Sequence, residues 1–450
     1  MSIIQDETIC ALATPQGIGA IAVIRVSGIK TFEVVNRLFF GKSLLEVATH
    51  TIHFGTIRDQ ETVIDEVLVS VFRTPQSYTR EDTIEISCHG SDYIIRTILK
   101  LLVQNGCRMA NAGEFTQRAF LNGQLDLVQA EAVADLIAAD SAAAHRIAVN
   151  QLRGGFSKKL NVLRTELIHF ASLIELELDF GEEDVEFANR TDLRDLILKI
   201  QQQIHPLIDS FDAGNVIKEG IPVAIVGPPN AGKSTLLNAL LNEEKAIVTA
   251  IAGTTRDVIE DVLFIEGIKF RFIDTAGIRE TKDEVEAIGI ERSLQAIQRA
   301  EVVLIMKTVT AETGIEKVDF EKILSEYTDK QVISVVNKID LLPQNQTGDK
   351  EVLISAKLGT GIEDLKNLIV KEAKSRKKTD STLTNLRHFE HLTKASETLD
   401  AVLHGLESGI TADFVAQDIR LSLHHLGEIT GSITTDDLLD NIFSKFCIGK

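Results

Sequence analysis

Hydrophobic and polar positions change their period several times along this chain of 450 residues. Near the N-terminus the apolar residues recur mainly at every second position, which predicts strands at Ala20–Val26, Val63–Val71 and Ile84–Ile86. Helical patterns fall between these strands, near residues 30–39 and 92–104. The first segment is therefore predicted to be a mixed α/β domain.

The next segment has the period of a helix. Apolar residues from Leu160 to Ile174 are spaced 3, 4, 3 and 4 apart, which predicts a helix seam rather than a strand. Gln124–Val149 is rich in Ala, Leu, Glu and Asp and is compatible with one long helix, apart from the acidic residues late in it. A further helix follows through Asp192–Phe211. This segment is predicted to be all-helical.

At Ile221 the pattern switches to strands that alternate with helices. Ile221–Val226 is a buried-strand run that leads into a glycine-rich loop. Later apolar runs predict strands at Lys269–Ile273, Val302–Met306, Val332–Val336 and Val352–Ile354. This alternation predicts a doubly wound α/β unit with a parallel sheet.

The chain becomes helical again after residue 376. A tail of about 75 residues is a weak candidate for an independent core, so its apolar seams are expected to pack against those of the earlier helices. The predicted fold is therefore an N-terminal α/β domain (residues 1–120) and a helical domain made of residues 121–216 and 377–450. A P-loop nucleotide-binding α/β domain (residues 217–376) interrupts the helical domain.

Composition narrows the function classes. Hydrophobic residues make up 44% of the chain, and 47 Lys and Arg stand against 66 Asp and Glu, a net charge of −19. Several buried cores are thus possible, and a broadly basic nucleic-acid coat is excluded. The four cysteines form no CxxC pair, and neither a secretory leader nor a membrane span is apparent. We therefore expect a cytoplasmic protein.

A phosphate-binding motif follows the first strand of the α/β unit. Gly227–Ser234 fits GxxxxGK[ST] between a predicted strand and a predicted helix, which is the context that this motif requires. Backbone N–H groups of such a loop surround phosphates, Lys233 reaches the β- and γ-phosphates, and the Ser234 hydroxyl binds Mg²⁺. The residues predicted to contact nucleotide here are Asn230, Ala231, Gly232, Lys233, Ser234 and Thr235.

Three later motifs select the base and sense the γ-phosphate. Asp274-Thr275-Ala276-Gly277 follows one predicted strand, Asn337-Lys338-Ile339-Asp340 another, and Ser355-Ala356-Lys357 the last. A carboxylate at Asp340 can accept from both N1–H and the 2-amino group of guanine, whereas adenine offers neither donor. Because the motifs occur in order and each follows a strand, the predicted ligand is GTP.

The hydrolytic residues are less usual. Ile278 stands where Ras-like GTPases have the glutamine that orients the attacking water, and the nearby candidates are Arg279 and the carboxylates of Asp283–Glu286. The polar loop Thr249–Asp257 can reach Mg²⁺ through a threonine hydroxyl. The Asn230 oxygen, together with loop carbonyls, could hold a monovalent cation in place of an arginine finger.

Other segments, distributed along the whole chain, resemble those of a known family. They are Ala13–Pro15, Arg25–Gly28, Gly113–Thr116, Arg118–Gly123, Gly253–Asp257 and the terminal Phe446–Lys450. With the terminal Cys-Ile-Gly-Lys sequence, they identify the chain as similar to the MnmE (TrmE) family of tRNA-modification GTPases.

The resemblance implies a function. Such proteins add an aminomethyl or carboxymethylaminomethyl group to C5 of wobble uridine in certain tRNAs, using a one-carbon unit from 5-formyl- or methylene-tetrahydrofolate. They act as homodimers with the FAD-dependent partner MnmG, in a heterotetramer with two of each subunit. Hydrolysis is activated by K⁺, the N-terminal domain binds folate and forms the dimer, and the GTPase domain is inserted in the helical domain.

The resemblance also assigns sites. It makes Glu286 the residue that orients the hydrolytic water, and it makes a chemical role for Cys447 more plausible than a core position. The implied K⁺ ligands are Asn230, Thr249, Ile251 and Thr254, and the Mg²⁺ ligands are Ser234 and Thr255. Further implied GTP contacts are Thr249, Ala250, Ile251, Ala252, Gly253, Thr254 and Thr255. The implied folate contacts are Arg25, Glu81, Gln124 and Lys450, with Gln124 standing where many members have Lys.

One alternative function remains from the residues themselves. A ribosome-assembly GTPase, acting as a binding switch, would share the nucleotide motifs but would usually carry a basic RNA-binding appendage.

The histidines of the C-terminal helices, His388, His391, His404, His424 and His425, are expected to be packing or solvent-facing side chains, because no acidic ligand accompanies them at regular spacing.

Overall fold

The computed structural model describes residues 7–179, 189–242, 261–273, 294–310, 314–315, 330–341, 351–374, 383–408 and 410–449. The chain divides into two compact units. The first consists of Met1–Ala138, Ala148–Gln202 and Glu390–Lys450, and the second of Ala139–Ile147 and Gln203–Phe389.

A seven-stranded sheet forms the N-terminal part of the first unit. Its strands are β1 (Ile9–Leu12), β2 (Gly19–Ser27), β3 (Phe39–Phe40), β4 (Thr51–Asp59), β5 (Thr62–Phe72), β6 (Thr83–Gly90) and β7 (Arg108–Met109). They lie in the order β3-β4-β5-β6-β2-β1-β7, antiparallel except for the β1–β7 pair. The three strands predicted near the N-terminus are β2, β5 and β6.

Helices cover one face of this sheet. They are α1 (Thr31–Leu38) and α2 (Asp92–Gln104), close to the two predicted helical ranges. The alternation along each strand buries one set of side chains, such as Ile24, Val69 and Ile86, against them. The opposite set faces outward.

The helical segment contains α3 (Glu114–Leu121), α4 (Leu127–Ala138), α5 (Ala142–Leu152), α6 (Gly155–Asp179), α7 (Arg190–Asp209) and α8 (Phe211–Glu219). The single long helix predicted over Gln124–Val149 is wrong, because the chain leaves the helix between α4 and α5. The Ser141 hydroxyl accepts from the backbone N–H of Ala144 (3.1 Å), which caps a new helix start. Along α6 the predicted seam is buried at Leu160, Leu163 and Ile174.

The second unit contains a predominantly parallel sheet. Its strands are β8 (Ile221–Val226), β9 (Asp261–Ile265), β10 (Ile268–Phe272), β11 (Val302–Thr310), β12 (Gly314–Ile315), β13 (Gln331–Asn337) and β14 (Val352–Leu353). The order is β14-β13-β11-β8-β10-β9, with β12 paired to β11. The five neighbouring strands β14, β13, β11, β8 and β10 run parallel to one another. Strand β9 forms an antiparallel hairpin with β10, which the sequence pattern did not predict.

The order of these strands fixes where a ligand can bind. β8 lies between β10 and β11, so successive connections leave it in opposite directions and open a crevice at its carboxyl end. Helices α9 (Lys233–Asn242) and α10 (Ile362–Lys374) follow β8 and β14. The fold is thus the predicted combination of a mixed α/β domain, helices and a doubly wound P-loop unit.

The C-terminal helices are α11 (Leu386–Ser408), α12 (Ala412–Thr430) and α13 (Asp436–Phe443). Within the first unit, Leu439 and Phe443 of α13 pack with Leu127 and Ala130 of α4. Helix α12 packs along α6. Helices from the two separated segments therefore share apolar contacts. Over the part of the chain that the structure describes, no helix is both long and apolar enough to cross a membrane.

Candidate functional site

The phosphate-binding loop connects the end of β8 to the first turn of α9. Gly232 has φ +88°, and a Cβ there would collide with the Asn337 side-chain amide, so only glycine fits. The loop closes through the Ala231 N–H, which donates to Pro228 O (3.2 Å). Because α9 begins immediately afterwards, its N-terminal N–H groups point at the crevice and favour an anion there.

Lys233 lies inside this loop. Its Nζ donates to the carbonyl oxygens of Gly227 (2.8 Å) and Pro228 (2.9 Å). Burial lowers the pKa of the Lys233 ammonium from its ordinary value. The loop therefore holds a partly desolvated donor group next to the backbone that would surround a phosphate.

Asn337 connects the phosphate loop to the base-recognition motifs. It ends β13 and is 3% exposed. Its Nδ2 donates to Ala231 O (2.9 Å), and its Oδ1 accepts from the Ala356 N–H (3.0 Å). One buried amide thus holds two loops that follow different parallel strands.

Asp340 is fixed by the neighbouring motif. The Ser355 hydroxyl donates to Asp340 Oδ1 (2.6 Å), and this bond is the main cause that lowers the pKa of the Asp340 carboxyl. The carboxylate is exposed and therefore available to accept from a ligand. Lys338 holds a left-handed backbone (φ +68°), and Lys357 is exposed beside the same edge of the sheet. The Asn337–Asp340 and Ser355–Lys357 motifs are thus brought together.

Several predicted nucleotide residues lie outside the described residues. They are Thr249, Ala250, Ile251, Ala252, Gly253, Thr254, Thr255, Asp274, Thr275, Ala276, Gly277 and Glu286. Of the predicted K⁺ ligands the structure describes Asn230, which is exposed and has φ +61°. Of the predicted Mg²⁺ ligands it describes Ser234, half-buried in the first turn of α9, where a hydroxyl oxygen suits Mg²⁺.

A second group of predicted residues lies on the N-terminal sheet. Arg25 of β2 pairs with Glu85 of β6 (Nη2–Oε1 2.8 Å), and its guanidinium lies 5.3 Å from the Tyr78 ring centroid and 5.6 Å from that of Phe115. Arg25 Nη1 also donates to Gly449 O (3.4 Å). The residue before Lys450 is therefore beside Arg25, while Lys450 lies outside the described residues.

Glu81 belongs to a buried ionic network that the sequence analysis missed. The Ser27 hydroxyl donates to Glu81 (2.8 Å), and Arg118 Nη1 lies 3.2 Å from the same carboxylate oxygen. Arg118 also pairs with Glu114 (2.9 Å), and both side chains are 1% exposed. Arg108 donates to both Glu114 oxygens. The only sequence signal was the i, i+4 spacing of Glu114 and Arg118 in a segment noted for its resemblance.

Gln124 and Cys447 occupy accessible positions. Gln124 Oε1 accepts from Arg80 Nε (2.8 Å), so a neighbouring arginine supplies positive charge beside it. Cys447 is exposed, whereas Cys10, Cys88 and Cys107 are buried, which argues against a core role for the terminal cysteine. Its carbonyl accepts from the Gly113 N–H (3.4 Å), and Ile448 pairs with Ala112.

Comparisons with known proteins cover nearly the whole chain. A family model described as the MnmE helical domain matches residues 127–447, and one described as the N-terminus of the GTP-binding protein TrmE matches residues 8–124. The tRNA modification GTPase MnmE of Cytophaga hutchinsonii is 54% identical over 99% of this chain and 98% of that protein. That of Flavobacterium johnsoniae is 53% identical over 99% and 100%.

A solved structure is also similar over part of the chain. Era of Aquifex aeolicus, bound to GDP and aluminium fluoride, is 31% identical over 39% of this chain and 66% of that chain, with a TM-score of 0.25.

Proposed function

This chain belongs to the MnmE family of tRNA modification GTPases, and from this we propose that it modifies C5 of wobble uridine in certain tRNAs. The group added is aminomethyl or carboxymethylaminomethyl. The chain is a GTP hydrolase. The observation that carries this function is the Asn337 bridge, which joins the phosphate loop to the Ser355–Lys357 loop, where Ser355 holds the Asp340 carboxylate.

In the proposed GTP site each described residue has a separate role. Lys233 and the N-terminus of α9 bind the β- and γ-phosphates, and Asp340 accepts from N1–H and the 2-amino group of guanine. Ser355 orients that carboxylate, and Asn337 holds the two loops at a fixed separation. Bound Mg²⁺ neutralises charge on the phosphates, and Ser234 with Thr255 would hold it. Asp274–Gly277 would sense the γ-phosphate.

We assign water orientation to Glu286 and cation binding to Asn230, Thr249, Ile251 and Thr254. The exposed amide of Asn230 at the tip of the loop supports a cation beside the phosphates. GTP turnover is expected to rise in K⁺ and not in Na⁺, and Asn230→Ala should lose this selectivity. Equal turnover of the unchanged protein in both salts would contradict the cation assignment.

We assign a tetrahydrofolate derivative, 5-formyl- or methylene-tetrahydrofolate, to the region of Arg25, Glu81, Gln124 and Lys450. The support is that Arg25 contacts the rings of Tyr78 and Phe115 and donates to the carbonyl of Gly449, the residue before Lys450. Glu81 accepts from Ser27, which lies two residues after Arg25 on the same face of β2. Titration of 5-formyltetrahydrofolate into the full chain tests this. Unchanged affinity after Arg25→Gln would reject the site.

Cys447 is proposed to take part in the modification chemistry, for which its exposure is a requirement. Cys447→Ser should keep normal GTP turnover and lose tRNA modification. Full modification by this variant would leave Cys447 without a chemical role.

The outward face of the N-terminal sheet supports a homodimer. Phe54 of β4 and Leu68 of β5 are directly paired, and Ile52 and Phe40 lie on the same face; all four are 47–66% exposed. Exposed apolar patches of this kind on a sheet mark an interface. Phe54→Glu should convert dimer to monomer in light scattering. Val162→Glu on α6, where the native side chain is 58% exposed against 66% for Phe54, is the control.

The remaining partners are proposed from family membership and charge. With a net charge of −19 the chain is poorly suited to bind tRNA alone, so the FAD-dependent partner MnmG is expected to supply much of the contact in a heterotetramer.

The domain boundaries at residues 1–120, 121–216 with 377–450, and 217–376 are also proposals. Soluble, GTP-binding 217–376 expressed alone would support an inserted domain.

The decisive experiment is mass spectrometry of wobble uridines in tRNA from cells that lack this protein. The expected result is loss of the C5 group, restored by the unchanged chain and not by Lys233→Ala. If the modified wobble uridines stay at the level of normal cells and ribosome precursors accumulate, the result would favour a ribosome-assembly switch instead.

A further inference from the structure

Three histidines and a glutamate meet between two C-terminal helices of the first unit. His391 lies on α11, and His424, His425 and Glu428 lie on α12. The sequence predicts packing or solvent-facing histidines on the premise that no acidic ligand accompanies them at regular spacing. The premise is wrong, because Glu428 follows His424 by four residues and His425 by three, and the packing of α11 adds His391.

The donor atoms converge on one carboxylate oxygen. Glu428 Oε2 lies 3.1 Å from His391 Nδ1, 3.5 Å from His424 Nε2 and 3.8 Å from His425 Nδ1. The ligand atoms of His391, His425 and Glu428 all lie within 4.8 Å of one another. Two ligands on a tetrahedral Zn²⁺ with bonds of 2.0–2.1 Å stand about 3.3 Å apart. The donors are therefore close to the spacing that such an ion requires.

Burial favours neutral imidazoles at this place. The side chains of His391 and His425 are 15% and 14% exposed, and His425 Nδ1 makes no hydrogen bond within the described residues. The ring centroids of His391 and His425, and those of His424 and His425, lie 5.7 Å apart, so the three rings crowd around one carboxylate. Neutral imidazole nitrogen and a carboxylate are the forms that bind a metal ion.

We propose that His391, His425 and Glu428 bind one divalent transition-metal ion of the Zn²⁺ class. The half-exposed His424 lies outside this three-residue cluster and would turn in as the fourth ligand when the ion binds. Imidazole nitrogens with one carboxylate suit Zn²⁺ and not Mg²⁺ or Ca²⁺, which prefer oxygen ligands. Four protein ligands close the coordination sphere, which is typical of a structural site. The ion would fix α12 to α11 and is separate from any cation at the nucleotide.

The test uses the full chain, without a histidine tag, stripped by chelator and then given Zn²⁺ alone. Elemental analysis should find one Zn²⁺ per chain, and Co²⁺ should give the visible absorption of a tetrahedral site. Glu428→Gln and His425→Asn should each weaken Zn²⁺ binding at least tenfold and remove the rise in melting temperature that Zn²⁺ gives the unchanged chain.

Matched controls separate this site from other donors. His404→Asn changes an exposed histidine of the same helix α11, and Cys447→Ser removes the exposed thiol; both should retain one tightly bound Zn²⁺. If Glu428→Gln misfolds, as judged by GTP turnover, His424→Asn serves instead and should weaken binding and change the Co²⁺ spectrum. Zn²⁺ binding that is absent in the unchanged chain, unaffected by these ligand variants, or lost with Cys447→Ser would overturn the proposal.

Discussion

Replacing Asn337 by alanine tests whether one buried amide couples the phosphate loop to the base loop. The substitution removes two hydrogen bonds, to Ala231 O (2.9 Å) and from the Ala356 N–H (3.0 Å), at a residue that is 3% exposed. Each is worth about 1 kcal/mol net, so ordering the two loops on nucleotide binding should cost about 2 kcal/mol more. At 1.4 kcal/mol per tenfold, the Kd for GTP should rise about 30-fold.

The measurement is titration of the full chain with a fluorescent GTP analogue at fixed Mg²⁺ concentration. Asn337→Asp keeps the acceptor for Ala356 but sets a carboxylate against Ala231 O, so it should weaken binding at least as much. Glu351→Gln is the control, because its carboxylate pairs with Lys307 of the same sheet (2.8 Å) and not with the phosphate or base loop. GTP affinity of Asn337→Ala within twofold of the unchanged chain, or an equal loss with Glu351→Gln, would refute the coupling.

Three further predictions concern the nucleotide site and the buried Glu114 network. Gly232→Ala should abolish nucleotide binding in the same titration while the chain stays folded by circular dichroism, because φ +88° and the Asn337 amide exclude a Cβ. Asp340→Asn should lower GTP affinity at least about 100-fold and raise affinity for xanthosine triphosphate, since two bonds to a charged acceptor are lost. Burial raises the pKa of Glu114, but bonds from Arg108, the Asn111 N–H and Arg118 outweigh it and the net pKa is lowered. The stability from Glu114 is therefore present above the unfolded value of about 4.3 and is lost as pH falls through the folded pKa; Glu114→Gln should flatten the acid side of the melting-temperature profile.

Local patterns were sufficient for much of the fold and for part of the site. The phosphate motif Gly227–Ser234 is contiguous, and its strand and helix neighbours have their own periodicities, so its place between β8 and α9 could be predicted. The alternating runs likewise predicted β2, β5 and β6. The break at Ser141 was missed because composition favours a helix on both sides, while the cap that begins α5 is a single hydroxyl contact.

The contacts between distant residues could not be predicted in this way. Asn337 and Ala231 are 106 positions apart, and their hydrogen bond depends on which strands are neighbours in the sheet. The burial of Arg118 against Glu81, and the approach of His391 to Glu428, depend in the same way on how separate elements pack.

The sequence by itself determined most of the elements, the nucleotide and the family, because hydrophobic periodicity and short motifs act over a few neighbouring residues. Only the tertiary structure decided which polar side chains are buried together, as in the Arg118–Glu114 pair and the cluster around Glu428. The physical reason is that strand order and helix packing set those partners, and burial then determines which of their charges and hydrogen bonds must be satisfied within the protein.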